Sequence, residues 1–206
     1  MALSQLKQED RSLEYINLVT ETCYQIPEGD TWDNINIVTC MAIDVKELTI
    51  YDRPEKQFIQ LTKTTDLVPE STVENVYNQL KPVSPSFLIG KWDGGDIDTG
   101  HIGHKLLKDM KWAGKDFRSV DDGDPIMVYD AQGNRVWRED WGHCSLREMV
   151  YRGVTSTAMI YDQKPIFDHF RYVTDNMVAG AMDTPKLFGT KGTYYFFLTR
   201  RSSSSL

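Results

Sequence analysis

Apolar positions recur along the chain with two periods, and the change between them separates a leading region from a longer strand-rich one. In residues 10–24, Leu13, Ile16, Val19 and Cys23 fall at helical spacing with Glu14 and Glu21 among the polar positions, which predicts an amphipathic helix. Pro27, Gly29 and Asp30 mark a turn, and residues 35–43 with 48–51 read as a short hairpin closed by residues 52–54. Residues 58–67 are polar and rich in threonine. Val73, Val76, Tyr77 and Leu80 then predict a short helix stopped by Pro82. Leu106, Leu107 and Met110 place another over residues 102–110. Residues 124–129 and 135–137 flank the turn-forming 130–134 as a hairpin. Residues 139–143 read as a loop, 146–162 as one long strand with Gly153 as a bulge, and 184–190 as a loose loop. The last strand covers residues 193–201, and a polar serine tail follows.

Residues 151–183 read as three strands joined by two short turns. In the middle strand, alternation puts Ile166, Asp168, Phe170 and Tyr172 on one face and Phe167, His169, Arg171 and Val173 on the other. A carboxylate on an otherwise apolar face is expensive to bury unless it is paired. Asp168 therefore either meets a cation or backbone N–H groups as a staple of the fold, or is used chemically. Facing inward, its pKa is expected to rise, which suits a general acid or base.

Gly90, Trp92 and Gly94 give G-x-W-x-G, preceded by PSFLIG and followed by Thr99-Gly100-His101. Trp112, Gly114, Lys115 and Phe117 come next, then YRG, AMIYD, PIFDHFR and MD in order. This series, from about residue 58 to residue 200, resembles the GXWXG-motif family and the uncharacterised domain that accompanies it at the C-terminus. The G-x-W also resembles the first-strand signature of lipocalin-like barrels. The resemblance implies a mainly β fold, an antiparallel lipocalin-like (calycin-type) β-barrel with short capping helices; the first 55 residues lie outside the family pattern, and the helix read there makes them an N-terminal helical extension. Residues 1–55 would form that extension, a helix plus hairpin packed on the barrel; residues 56–201 would form the barrel domain and 202–206 a disordered tail. In such barrels a Trp near the start closes one end and an arginine ending the last strand lies over its ring. Arg200 or Arg201 is accordingly expected to stack on Trp92, a contact worth on the order of 1 kcal/mol.

Composition narrows the partners. The chain has 206 residues, 40% of them hydrophobic and 26% charged, as expected for one soluble domain with an appendage. A net charge of −7 with no basic stripe argues against nucleic acid. Cys23, Cys40 and Cys144 have neither disulfide-framework nor zinc spacing and read as reduced, which fits a cytoplasmic protein. No signal-peptide core and no run near the roughly 20 apolar residues of a membrane span are present.

The candidate chemistry is acid–base. Asp168 and His101 are the candidate catalytic residues, His101 because it follows a flexible Thr-Gly and precedes the helix expected over one barrel mouth. A backbone hydrogen bond that fixes the loop is the plainer role for His101. His104 can share a helix face with it, His143 sits in a loop, and Asp183 ends a strand as a cap or a partner for Arg152 or Arg171. Trp112, Tyr129, Trp137, Tyr151, Met159, Tyr161, Phe170, Tyr172 and Met182 are candidates to line a cavity, although at strand spacing such residues also build ordinary core. Lys115 after Gly114 lacks the other parts of a phosphate loop. No nucleophile elbow, dinucleotide fingerprint or metal-ligand spacing occurs, so neither cofactor nor metal is expected. The favoured reading is a cofactor-independent cyclase, isomerase or dehydratase that encloses an apolar small molecule; a place in polyketide or terpenoid metabolism is what the resemblance to lipocalin-like barrels implies. The alternative is a non-catalytic binder or carrier of a hydrophobic ligand. A self-filled structural module is the third class, and a homodimer stays open.

Overall fold

A computed structural model describes residues 53–189 and 192–202. The helix expected over residues 10–24, the hairpin after it and residues 203–206 of the tail lie outside the described residues. The expected packing of residues 1–55 on the remainder lies outside them as well.

Nine strands pair into one antiparallel sheet: β1 (Gly90–Asp96), β2 (Trp112–Ser119), β3 (Asp122–Tyr129), β4 (Arg135–Trp137), β5 (Cys144–Tyr151), β6 (Val154–Tyr161), β7 (Phe167–Thr174), β8 (Met177–Asp183) and β9 (Tyr194–Arg200). Their order is β2-β1-β9-β8-β7-β6-β5-β3-β4, and β2 also pairs with β3. Eight strands thus close into a ring, and β4 hangs on β3 alone. Among the described residues the α-helices are α1 (Pro54–Leu61), α2 (Glu70–Gln79), α3 (Ile102–Asp109) and α4 (Pro185–Phe188). Among the described residues no helix is long and apolar enough to cross a membrane.

Three local readings are corrected by the structure. Residues 146–162 are not one bulged strand: β5 and β6 form a hairpin with Tyr151 opposite Val154. Its two turn residues, Arg152 and Gly153, have φ of 50° and 75°, the left-handed pair that suits the twist of a tight hairpin. The polar stretch after residue 53 holds α1, which Pro54 starts and which buries only Phe58. The loop over residues 184–190 contains α4.

Two apolar clusters fill the fold. The inner one gathers Trp92, Phe117, Ile126, Leu146, Met159, Phe170, Val178 and Phe196 from all eight ring strands. The outer one packs Phe58 of α1 and Val73, Val76 and Tyr77 of α2 over Val173, Ala179, Ala181 and Tyr195. Strand β7 is therefore buried on both faces. Asp168 and Phe170 look into the ring, whereas His169, Arg171 and Val173 lie under the helices, where the Tyr77 hydroxyl donates to the His169 carbonyl at 2.8 Å.

The end where β1 begins is shut by an arginine clasp. The Arg200 guanidinium stands 4.1 Å from the centre of the buried Trp92 ring, as expected, and donates to the carbonyls of Ile89 (3.0 Å) and Phe87 (2.8 Å). Trp92 donates its Nε1–H to the Leu88 carbonyl at 2.7 Å. Removing the fork breaks the ring contact and both hydrogen bonds. Arg200→Gln is expected to lower stability by roughly 1–3 kcal/mol, read as a lower urea midpoint at unchanged slope. An unmoved midpoint would show that the clasp contributes nothing.

Candidate functional site

The opposite end of the ring, where β1 and β8 finish and β2 and β9 start, is covered by α3 and α4. Beneath them lies a buried ionic cluster that begins with a backbone irregularity. Gly114 has φ of 112°, and the pairing of β2 with β3 shifts register on both sides of it. A Cβ there would sit 2.0 Å from the Trp92 carbonyl oxygen, so only glycine fits. Beyond this bulge Lys115 and Phe117 are each 2% exposed.

Lys115 Nζ lies 2.8 Å from Asp168 Oδ2, and both side chains are 2% exposed. The same ammonium donates to the Pro125 carbonyl at 3.0 Å and to the Tyr161 hydroxyl oxygen at 3.2 Å. The Tyr161 hydroxyl in turn donates to Asp168 Oδ2 at 3.2 Å. Three acceptors thus meet the three protons of Lys115. The rings of Trp112, Tyr161 and Phe196 stand around it with centres at 5.6, 5.4 and 5.2 Å. Asp168 Oδ1 is left with no hydrogen-bond partner among the described residues. Burial, and then the Asp168 carboxylate, push the Tyr161 hydroxyl well above its ordinary value, so it stays a donor. Burial also pushes the Cys144 thiol up to about 12, which removes it as a nucleophile.

A cavity of about 20 Å³ borders this cluster, with Leu107, Trp112, Tyr161, Asp168, Met182 and Phe188 among its walls. That volume suits about one water-sized group. A second space of about 70 Å³ adjoins it, lined by His101, Asp183 and Thr184, and Met182 and Phe188 line both. His101 has the plainer role: it caps α3, and its Nδ1 accepts from the Gly103 N–H at 3.0 Å. Its ring also meets those of Phe188 and Tyr194 at 5.5 and 5.7 Å.

Of the other residues singled out in the sequence, Trp112, Tyr161 and Met182 reach the first cavity, while Met159 and Phe170 pack in the inner core. Tyr172 packs against Phe87 and donates to Asp175 at 2.9 Å. Tyr129 is 41% exposed, and Trp137 stacks on His143 at 4.1 Å. Tyr151 stacks on His169 at 3.9 Å on the outer face of the sheet. Those three stand away from the cavity. His104 binds Asp96 at 2.7 Å, and Asp183 lies 3.8 Å from His169. Lys115 is the site residue that the sequence does not single out. No alternation marks it as it marks Asp168, because Ala113 to Phe117 are all buried and the register shifts at Gly114.

His169 supplies a pH test. Burial lowers its pKa from 6.5, although Asp183 pulls the other way. A depressed histidine favours folding above its unfolded pKa, and that contribution is lost as the pH falls through the folded value. The thermal midpoint is expected to drop between about pH 7 and pH 5, and to drop less in His169→Gln. Equal slopes in the two proteins would remove His169 as the cause.

Residues 75–133 match the family described as GXWXG protein, and residues 142–200 match a domain of unknown function (DUF4334). A crystal structure of a protein from Thermomonospora curvata is similar at 39% identity and a TM-score of 0.67, covering 72% of this chain and 99% of that one. No curated protein matches the chain.

Proposed function

For a chain that belongs to the GXWXG family and carries its companion domain of unknown function, we propose an acid–base enzyme that encloses an apolar small molecule in a lipocalin-like barrel. The reaction class is isomerisation, cyclisation or dehydration without a cofactor. Asp168 moves the proton, Lys115 and Tyr161 hold its carboxylate, and His101 stands at the mouth. The observation that carries this reading is the buried Lys115–Asp168 pair with one carboxylate oxygen left over at a cavity. Buried ion pairs add little stability over apolar packing, and an unsatisfied oxygen subtracts from it, so the arrangement is better explained by use.

A space of about 20 Å³ admits only the polar end of a ligand. The cover above it is thinly held: α3 buries Gly103 alone, and no residue of α4 is buried. Segments with so few buried contacts open at low cost. Because Phe188 and Met182 wall both spaces, moving the α4 side chain joins them and brings His101 to the ligand. Incubation with terpenoid and polyketide intermediates, followed by mass spectrometry of the products, tests the proposal with wild type and Asp168→Asn side by side. Products from wild type alone support it. Binding without turnover in either protein moves the chain to the carrier reading.

A further inference from the structure

We infer that the slot beside Lys115 is a hydroxyl site, so that the ligand is an alcohol on an apolar skeleton. The inference rests on the proposed interior site and names its substrate class. Three buried polar atoms on residues that wall the first cavity have no hydrogen-bond partner among the described residues: the Tyr194 hydroxyl, and the pair Asp168 Oδ1 and Trp112 Nε1. Both groups lie around one ammonium, since Lys115 Nζ is 2.8 Å from Asp168 and 5.6 Å from the centre of the Trp112 ring. Their chemistry is opposite. An ion-paired carboxylate oxygen only accepts, and an indole N–H only donates. A guest that satisfies both must donate and accept through one small group in about 20 Å³. A hydroxyl does this; a carbonyl or ether only accepts, and a hydrocarbon does neither. The Tyr194 hydroxyl, also buried at the cavity wall, meets no partner at hydrogen-bond geometry, though Asp96 is close enough to contribute to its raised pKa after burial itself. It is a further contact within the same walls. Leu107, Ile126, Met182, Phe188 and Phe196 make the apolar part of the walls, against which the skeleton would pack.

The distinction is testable because a site built to hydrogen-bond a hydroxyl rejects the analogue that lacks it. Isothermal titration calorimetry would compare cyclohexanol with methoxycyclohexane and methylcyclohexane, and geraniol with geranyl methyl ether and myrcene. The alcohol is expected to bind at least about tenfold more tightly than its ether and hydrocarbon on a skeleton that fits. Trp112→Phe keeps a ring but removes the N–H, and should cut that preference to within a few fold. Asp168→Asn offers an amide that can donate, and should admit the ether. Near-ultraviolet circular dichroism shows that each variant keeps its packing. Equal binding of alcohol and ether by wild type overturns the hydroxyl site while leaving an interior small-molecule site in place. No binding on either skeleton overturns both.

Discussion

Lys115→Met is expected to destabilise the protein by roughly 3–5 kcal/mol, the cost of leaving a buried carboxylate without its cation. Asp168 is 2% exposed, and among the described residues its carboxylate has one other hydrogen-bond partner, the Tyr161 hydroxyl. The variant removes the ammonium and leaves that charge with the Tyr161 hydroxyl as its donor, in a pocket that the Trp112 and Phe196 rings also wall. Asp168→Leu alone should cost a comparable amount, because it strands the ammonium instead. The double variant Lys115→Met/Asp168→Leu is expected to recover most of the loss and to match or exceed wild type, since apolar packing replaces a buried pair at little or no cost. Urea denaturation of all four proteins closes the cycle. A single Lys115→Met variant within about 1 kcal/mol of wild type would mean that Asp168 is accommodated without the lysine, and the cluster would lose its electrostatic rationale. Recovery in the double variant separates two explanations of the pair: it would be dispensable for the fold and needed for what the cavity does.

The two halves of this pair were not equally legible in the sequence. Asp168 stood out because β7 alternates regularly and the carboxylate interrupts an apolar row. Lys115 lies in β2, where residues Ala113 to Phe117 are all buried and the bulge at Gly114 disturbs the two-residue period. Read only as a glycine–lysine motif, it suggested phosphate binding and was set aside. The arginine clasp was legible because G-x-W at the first strand and arginine at the last mark the two chain ends that meet there. α1 was hidden, since a helix that buries only Phe58 carries no apolar stripe. The hairpin between β5 and β6 was hidden because arginine stands where a left-handed turn usually takes asparagine, aspartate or glycine. Alternation also says which residues share a face, not which face turns inward. With helices over the outer face, both faces of β7 are buried, and Tyr151 reads like Tyr161 until the ring is closed.

Asp168→Asn is expected to lower turnover by about 10²–10⁴-fold with a much smaller change in substrate binding. The amide keeps the shape, and its oxygen can still accept from Lys115 and Tyr161, but it cannot take up a proton at neutral pH. The loss should therefore fall on kcat rather than KM. Because the substitution leaves Lys115 without a counter-ion, stability must be followed in parallel and rates compared at a temperature where the variant is folded. Tyr161→Phe is the graded control: it removes one donor to Asp168 Oδ2 while keeping the ring beside Lys115, and should reduce turnover less. His101→Gln separates the two candidate proton carriers, since the amide oxygen offers a substitute acceptor for the Gly103 N–H. If Asp168→Asn turns over as wild type does while His101→Gln does not, the proton transfer belongs to the space of about 70 Å³ behind Phe188, and Asp168 is a staple of the ring. If both variants retain turnover, neither group moves the proton, and any acceleration comes from the enclosing walls fixing a reactive conformer.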